Sequence, residues 1–310
     1  MLLSTRTALI VSLALALAFG SLVAIGLQRE ALVARPYTQI ALAGQEALWN
    51  EILDQQAGDL VEMKQRVMSD PVFVETFTAG DLPALRRAGT LLTRSGLMSG
   101  ELSDLQILDA QGRIVYASSA LAEPAPLLDI STIAASIAGE AATGLRQVST
   151  EEFRVVAASR FEPWNGSGTV LAIGADARPA LLHYARATAA ESYLLGTRGR
   201  LVEGTDPDLW RDLGVMLPQR AGTVRQAPLG DRLFAVTAIP LADISAGSAG
   251  LLVSVQDATQ SLTALGRLTA LTVSVMAVVA LLTVGGLYLY LLQPGAAGEG
   301  GGHIGCLLAW

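Results

Sequence analysis

The side chains that could do chemistry in this sequence are few. It contains two histidines, His183 and His303, and one cysteine, Cys306. His303 and Cys306 lie close to the carboxyl end, so the bulk of the chain offers no disulfide, thiolate metal site or paired-histidine metal site. A Ser-His-Asp set would have to use His183, and a single histidine on a predicted helix is typical of a structural position. The sequence therefore predicts no enzyme, no metal site and no cofactor.

Two regularly spaced arginines are the best candidates for binding a ligand. Arg154 and Arg160 lie in an alternating run from Phe153 to Phe161, and their even spacing puts both on one face of the predicted strand. A guanidinium can bind a carboxylate through two parallel hydrogen bonds. This face could therefore hold a carboxylate-bearing ligand, although the same spacing also fits a solvated strand face.

Two apolar runs frame the part of the chain that carries these arginines. Residues 268–292 contain no charge, and as a helix they would extend ~37 Å, more than the ~30 Å of a hydrocarbon core. Residues 8–27 form a second run, which at twenty residues exceeds the ~7 to 15 of a signal-peptide core. We therefore expect two transmembrane helices. The alternatives are a buried soluble helix for the second run and a cleaved signal for the first.

Two spans put both ends of the chain on one side of the membrane. Because long loops translocate largely regardless of their charge, we expect residues 28–267 to be periplasmic or extracellular. The net charge of -7 argues against nucleic acid and against an anionic membrane surface as partners. The excess of arginine over lysine indicates a bacterial genome, so the expected location is a bacterial inner membrane, with the lipid bilayer as a partner.

A long amphipathic helix is predicted from about Thr38 to Ser69. Its apolar residues recur at helical spacing. They also fit alternating steps of four and three, which would suit a homodimer interface. Packing of the same stripe against its own domain is the equally favoured alternative. The stripe consists of Trp49, Leu53, Leu60, Met63 and Val67.

From Leu105 the apolar period changes from helical to alternating, which predicts strands. A hairpin is expected around the turn 110–112, because a glycine there follows an alternating run. A connector helix over 130–138 and three strands near 144–149, 153–161 and 169–176 follow. The order then recurs without any residue-level repeat: helix 179–190, hairpin 193–203, helix 206–213 and strands near 222–226, 232–239 and 250–256. The predicted fold class is α+β, with two antiparallel sheets.

This arrangement resembles the double Cache ectodomain of bacterial transmembrane receptors. The resemblance is carried by Leu105–Ser118, Tyr193–Glu203 and Leu233–Gln256, read with their place between the two spans. It implies two PAS-like Cache modules, the first distal and the second proximal to the membrane. The expected domains are a cytoplasmic amino terminus (1–7), a first span (8–27), a helical lead-in (28–100), the distal module (101–178), the proximal module (179–258), a juxtamembrane helix (259–267), a second span (268–292) and a glycine-rich cytoplasmic tail (293–310).

The resemblance also implies where a small ligand would bind. It points to the distal module, where the three-stranded meander would curl over a pocket closed by the connector helix. The arginines would bind a carboxylate, and the two aromatic rings would form the walls around an organic body. The candidate ligand-binding residues are Tyr116, Ser118, Arg154, Arg160, Trp164 and Asp176.

A receptor of this kind would continue from its second span into a HAMP linker and an effector. Gln293–Pro294 occupies the place of the early linker proline, but the glycine-rich residues after it depart from that pattern. We therefore expect a receptor truncated or frame-shifted after Pro294, which senses a small molecule and signals across the membrane without its own effector. The alternative function is a membrane-anchored partner-binding or structural module without a ligand.

Overall fold

The computed structural model describes Gly20 and residues 39–99, 102–119, 124–161, 168–214 and 221–292. Residues 38–258 form one compact unit, and the remaining residues form a second. Of the second unit, the described part is Gly20 and a single long helix. The predicted first span therefore lies almost wholly outside the described residues.

Three helices begin the compact unit. Helix α1 covers residues 39–69, α2 runs from Pro71 to Thr78, and α3 runs from Leu82 to Ser99. The break between α1 and α2 is local in origin. Asp70 has an extended backbone and its carboxylate accepts a hydrogen bond from the Phe73 N–H, while Pro71 takes the first helical position. This is the helix end that the sequence predicts.

The first sheet contains five antiparallel strands. Its order is β2-β1-β5-β4-β3, so the predicted hairpin joins the predicted meander through a pairing of β1 with β5. Asp129 caps the connector helix α4 by accepting a hydrogen bond from the Thr132 N–H. The elements are β1 (Asp104–Asp109), β2 (Ile114–Ala117), α4 (Ile130–Ile137), β3 (Ala142–Ser149), β4 (Glu152–Phe161) and β5 (Thr169–Asp176).

The second sheet has the same order of strands. It runs β7-β6-β10-β9-β8, again entirely antiparallel, with one helix before its hairpin and one between hairpin and meander. The predicted α+β class with two antiparallel sheets is confirmed. The elements are α5 (Arg178–Thr188), β6 (Glu191–Gly196), β7 (Leu201–Gly204), α6 (Pro207–Leu213), β8 (Thr223–Leu229), β9 (Arg232–Ala242) and β10 (Ser248–Asp257).

Helix α1 packs along both sheets. Near its start, Gln45 accepts a hydrogen bond from Thr237 of the second sheet; further along, Gln56 donates one to the Asp176 carbonyl of the first. Met68, near its end, lies 3.7 Å from the Ser159 hydroxyl. The contacts from Gln45 to Met68 span ~35 Å of helix. The second sheet therefore lies at the end of the unit where α1 begins, and the first sheet lies at the other end.

The predicted apolar stripe of α1 is used within its own domain. Trp49, Leu60 and Val67 are at most 2% exposed and belong to one core with the inner face of the first sheet. Trp49 also meets the ring of Tyr184 edge-on, with ring centres 5.7 Å apart. Of the two alternatives for this stripe, the structure shows packing on the domain, because the sheet buries the side chains that a dimer seam would need.

Helix α7 runs from Thr259 to Leu292 and contains the predicted second span, residues 268–292. It also contains the predicted juxtamembrane helix, residues 259–267, and it begins two residues after the end of β10 at Asp257. Among the described residues, no helix combines the length and the apolarity needed to cross a membrane. The two transmembrane helices therefore stay predictions.

Candidate functional site

A cleft of about 530 Å³ follows the outer side of β2 in the first sheet. One wall is the run Ile114–Ser119, and the other is one face of α3, where Leu82, Arg86 and Thr90 recur every four residues. Pro124 completes the described lining. The cleft exists because β2 ends the sheet and α3 packs beside that end without covering it.

The outer side of β2 presents backbone groups to this cleft. The Ser118 N–H donates to the Leu105 carbonyl at 2.8 Å, which directs the backbone of Ser118 toward β1. Backbone groups of successive residues alternate in direction along a strand, so the N–H and C=O of Ala117 point away from β1 and into the cleft. An edge strand carries such unpaired groups by its position in the sheet.

Tyr116 lies at the base of the cleft and is 4% exposed. Its ring meets Phe73 edge-on, with ring centres 6.0 Å apart, and its hydroxyl is buried without a hydrogen-bond partner in the described part of the chain. That hydroxyl approaches α3 at Gly89, where an added Cβ would lie 1.9 Å from it. Burial, and after it the nearby Asp104 carboxylate, raises the pKa of Tyr116 to about 12, so the phenol is neutral at physiological pH.

The hydroxyl of Ser118 is held in place by the strand beside it. It accepts a hydrogen bond from the Leu105 N–H at 2.9 Å and donates to Asp104 at 3.2 Å. The buried Gln106 donates to the same carboxylate, and it also binds the chain at Ala125 and Leu127. This network anchors the segment after β2 to the first sheet and fixes the end of the cleft.

Arg86 is the one charged side chain among the described lining residues. It is exposed, it forms no salt bridge with a described residue, and its charge partly offsets the raised pKa of Tyr116. A cation beside outward-facing backbone groups favours an anionic ligand that can also form main-chain hydrogen bonds. The cleft therefore has the chemistry to bind a carboxylate.

The pocket predicted beneath the connector helix is filled by side chains. Leu108, Leu127, Ile133 and Val156 pack with their neighbours into a buried apolar cluster between α4 and the first sheet. Arg154 and Arg160 share this strand face, as their spacing predicts, but they lie at its two ends. Six residue steps along the strand place them ~20 Å apart, so they cannot bind one small ligand together.

The structure brings two of the six predicted site residues, Tyr116 and Ser118, to the β2 cleft. Arg154 lies opposite Asp176 on the neighbouring strand and forms a salt bridge with Glu152, while its Nη1 is buried without a partner among the residues that the structure describes. Arg160 is exposed near the far end of β4. Trp164 lies outside the described residues. The ligand-binding role of these residues stays a prediction.

A second cleft, of about 300 Å³, lies between the first and second sheets. Asp176 lines it together with Arg178 and Glu203, which form a salt bridge at 3.5 Å. Burial raises the pKa of Glu203; the charge of Arg178 opposes this rise, and the charge of Asp176 adds to it. No group of three or more candidate ligands that could hold a metal ion occurs within the described ranges.

The sequence analysis did not predict that Arg86, Thr90 and the outer backbone of β2 line a cleft. The sequence does contain one relevant pattern, because Leu82, Arg86 and Thr90 share one face of a predicted helix. What this face meets depends on β2 being an edge strand, and that is a matter of sheet order rather than of local sequence.

Comparisons with known proteins give structural similarities only. No family model matches the chain, and no curated protein matches it. The periplasmic domain of Vibrio cholerae LuxQ is 13% identical, with 70% of this chain and 99% of that chain covered and a TM-score of 0.49. The ligand-binding domain of the Pseudomonas aeruginosa amino acid chemoreceptor PctB, in complex with L-Arg, is 13% identical. The match covers 71% of this chain and 95% of that chain, with a TM-score of 0.42.

A third similar structure is the ligand-binding domain of the Pseudomonas fluorescens chemoreceptor CtaA, in complex with L-isoleucine. It is 12% identical, with 76% of this chain and 98% of that chain covered and a TM-score of 0.45. Two of the three are ligand-binding domains of chemoreceptors, and that of LuxQ is a periplasmic domain. At these identities the similarity is one of fold alone.

Proposed function

We propose that this chain is an extracytoplasmic sensor of a small molecule, tethered in a bacterial inner membrane and signalling across it. The observation that carries the proposal is the β2 cleft. It combines the edge strand of the first sheet, the cation of Arg86 and the buried hydroxyl of Tyr116, which has no hydrogen-bond partner among the described residues. His183 is the one histidine in residues 28–267 and the sequence predicts no enzyme, so binding rather than turnover is the proposed activity.

The proposed signal is a small displacement of α7 when the cleft is occupied. β10 leads through Ala258 directly into α7, so the second sheet and that helix are joined by one residue. Helix α1 contacts both sheets and could couple the cleft end of the unit to the end where α7 begins. A ligand needs only a difference in affinity between two arrangements of the protein to shift the population.

Thermal stabilisation of the full chain in detergent micelles, screened against a panel of small metabolites, tests ligand binding. A ligand present at 100 times its Kd stabilises the folded state by about 2.7 kcal/mol and must raise its melting temperature. Thr90→Trp, which fills the cleft from α3, should abolish the shift. Leu91→Trp is the matched control, because Leu91 is 71% exposed and lies off the cleft. Stabilisation that survives Thr90→Trp would contradict the proposed site, and no stabilisation by any metabolite would favour the partner-binding alternative.

The proposed membrane tether is supported by the apolar side chains that α7 exposes. Leu271, Leu281 and Leu282 are each more than 60% exposed on this helix, and residues 268–292 carry no charge. Protease added to intact spheroplasts should digest residues 28–267 while sparing both ends of the chain. Survival of that part until lysis would overturn the location.

We also propose a homodimer, as the sequence analysis predicts. Because the apolar stripe of α1 is used in its own core, the contact would have to use another surface of the chain. Sedimentation of the full chain in detergent, corrected for bound detergent, should give twice the mass of one chain. A monomeric mass at micromolar concentration would exclude the dimer.

A further inference from the structure

The lining of the β2 cleft extends along both of its walls. One wall consists of the strand residues Ile114–Ser119, and the other of the helix residues Leu82, Arg86 and Thr90. From Leu82 to Thr90 the helix rises ~12 Å. Four residues of extended peptide cover ~13 Å. The length of the shared walls therefore matches a short extended segment.

One wall offers the hydrogen bonds that an added strand needs. Ala117 directs its N–H and C=O into the cleft, because the backbone of Ser118 is bonded to β1. An extended peptide beside β2 would pair with these groups and become a sixth strand of the first sheet. A single amino acid can use at most part of this edge.

The other wall offers a cation. Arg86 lines the cleft, has no salt bridge with a described residue and belongs to a protein with a net charge of -7. Helix α3 contains three arginines and no acidic residue. A free carboxyl terminus at Arg86 would be held by a charge-assisted hydrogen bond.

The edge also limits the length of any partner. β2 has four residues, and its pairing with β1 shifts register between Ile107 and Leu108. A short, irregular edge is a poor template for pairing with another whole sheet. It can still bind a few residues of an extended peptide.

From these observations we infer that the β2 cleft binds short peptides by strand addition, with the peptide's free carboxyl terminus at Arg86. The inference rests on the proposed sensing function and names the class of its ligand. The peptide backbone supplies most of the hydrogen bonds, so the site tolerates varied peptide side chains.

Matched peptide libraries test this on the full chain in detergent micelles. The first library contains acetylated tetrapeptides of mixed sequence with free carboxyl termini; the second has carboxyl-terminal amides, and the third has N-methylated backbone amides. The first should raise the melting temperature, and tight binders isolated from it should lose about tenfold or more in affinity as amides or when N-methylated. Equal binding by the N-methylated peptides would overturn strand addition, and equal binding by the amides would overturn the role assigned to the carboxylate.

Two pairs of variants place the peptide in the cleft. Ala117→Pro removes the outward N–H and should weaken peptide binding about tenfold, whereas Ala117→Val retains it and should bind normally.

Arg86→Gln should weaken binding of the free acid to the level of the amide, while Arg87→Gln, on an exposed neighbour outside the cleft, should have no effect. The second pair keeps the test decisive if Ala117→Pro disturbs folding. Peptide binding unaffected by Arg86→Gln would place the peptide elsewhere.

The libraries also separate this inference from the proposed function. A single amino acid or other metabolite that stabilises the chain, and loses its effect in Thr90→Trp, would support a sensor while overturning the peptide as its ligand. Absence of stabilisation by both peptides and metabolites would overturn both.

Discussion

At the scale of single residues, one polar group at the base of the proposed site is buried without a described partner. The Tyr116 hydroxyl is buried and forms no hydrogen bond with a described residue. Lys64 of α1 is a second buried polar residue, 4% exposed. A buried donor without a partner loses its hydration and gains nothing in return. Such groups lower the stability of the free protein, and a ligand that satisfies one of them recovers part of that loss.

Tyr116→Phe should therefore stabilise the ligand-free protein. Removing a buried hydroxyl without a partner should raise the free energy of unfolding by about 1 kcal/mol, since the desolvation penalty disappears and packing is kept. Tyr184→Phe is the matched comparison, because the Tyr184 hydroxyl is bonded to Ser254. That change should lower the free energy of unfolding by about 1 kcal/mol. Denaturant unfolding measures both, and a destabilised Tyr116→Phe would show that its hydroxyl has a partner.

Lys64→Met should also stabilise the protein and remove a dependence on pH. Burial lowers the pKa of the Lys64 amine below its ordinary value near 10.5. Between the lowered and the ordinary pKa, the unfolded chain binds more protons than the folded one, so the free energy of unfolding rises with pH over that interval. Unfolding from pH 7 to pH 10 should show this rise in the natural protein and a weaker one in Lys64→Met. An equal slope in both would show that the amine keeps its ordinary pKa when folded.

At the scale of elements, the distance between α3 and β2 affects both the stability of the protein and the width of the cleft. Gly89 lets the helix lie against the Tyr116 ring, because an added Cβ would come within 1.9 Å of the hydroxyl. A side chain at this position forces the helix away from the edge of the sheet. The cleft therefore depends on a residue that does not line it.

Gly89→Ala should destabilise the protein by about 2 kcal/mol, even though alanine favours helices, because it overpacks a buried contact. Gly58→Ala is the control: Gly58 lies in α1 with nothing within 4 Å of an added Cβ. That change should stabilise by about 0.5 to 1 kcal/mol. Thermal unfolding of both variants checks this, and a Gly89→Ala protein as stable as Gly58→Ala would show that α3 does not lie close to Tyr116.

At the scale of the whole molecule, two sheets of the same strand order are joined by β3 and by α1. The Ile244 N–H, in the loop between β9 and β10, donates to the Leu145 carbonyl of β3 at 2.8 Å. Gln147 of β3 accepts a hydrogen bond from the Thr197 N–H at 3.3 Å. With α1 packed on both sheets, these contacts make residues 38–258 one unit. Unfolding of this unit should therefore be a single transition.

Alkaline pH should destabilise this unit as a whole. Burial is the first cause that raises the pKa values of Tyr116 and Tyr184, each to about 12, and it also raises that of Tyr193 in the second sheet. For an acid whose folded pKa is raised, the stabilising contribution is present below the unfolded pKa near 10 and is lost as pH rises toward the folded pKa. The melting temperature should fall between pH 10 and pH 12, with phenolate absorbance appearing during unfolding. Phenolate formation by all tyrosines near pH 10 in the folded protein would contradict this.

The local pattern of the sequence determined the element order and much of the strand content. Alternating residues and the glycine turn at 110–112 identify the β1–β2 hairpin, and Asp70–Pro71 identifies a helix boundary, because these signals depend on neighbours in the chain. The shared face of Arg154 and Arg160 was also predicted correctly, since side chains alternate along any strand. For the same reason the repeat of helix, hairpin, helix and meander could be recognised without residue identity between the halves.

Only the tertiary structure decided which strands are neighbours and which faces are covered. Sheet order places β1 between β2 and β5, which leaves β2 at an edge beside Arg86, and packing of α4 fills the face where a pocket was expected. Whether α1 would bury its stripe in a dimer or in its own domain could not be read from its period, because both partners require the same spacing. These outcomes depend on contacts between residues far apart in the chain, and such contacts leave no local pattern in the sequence.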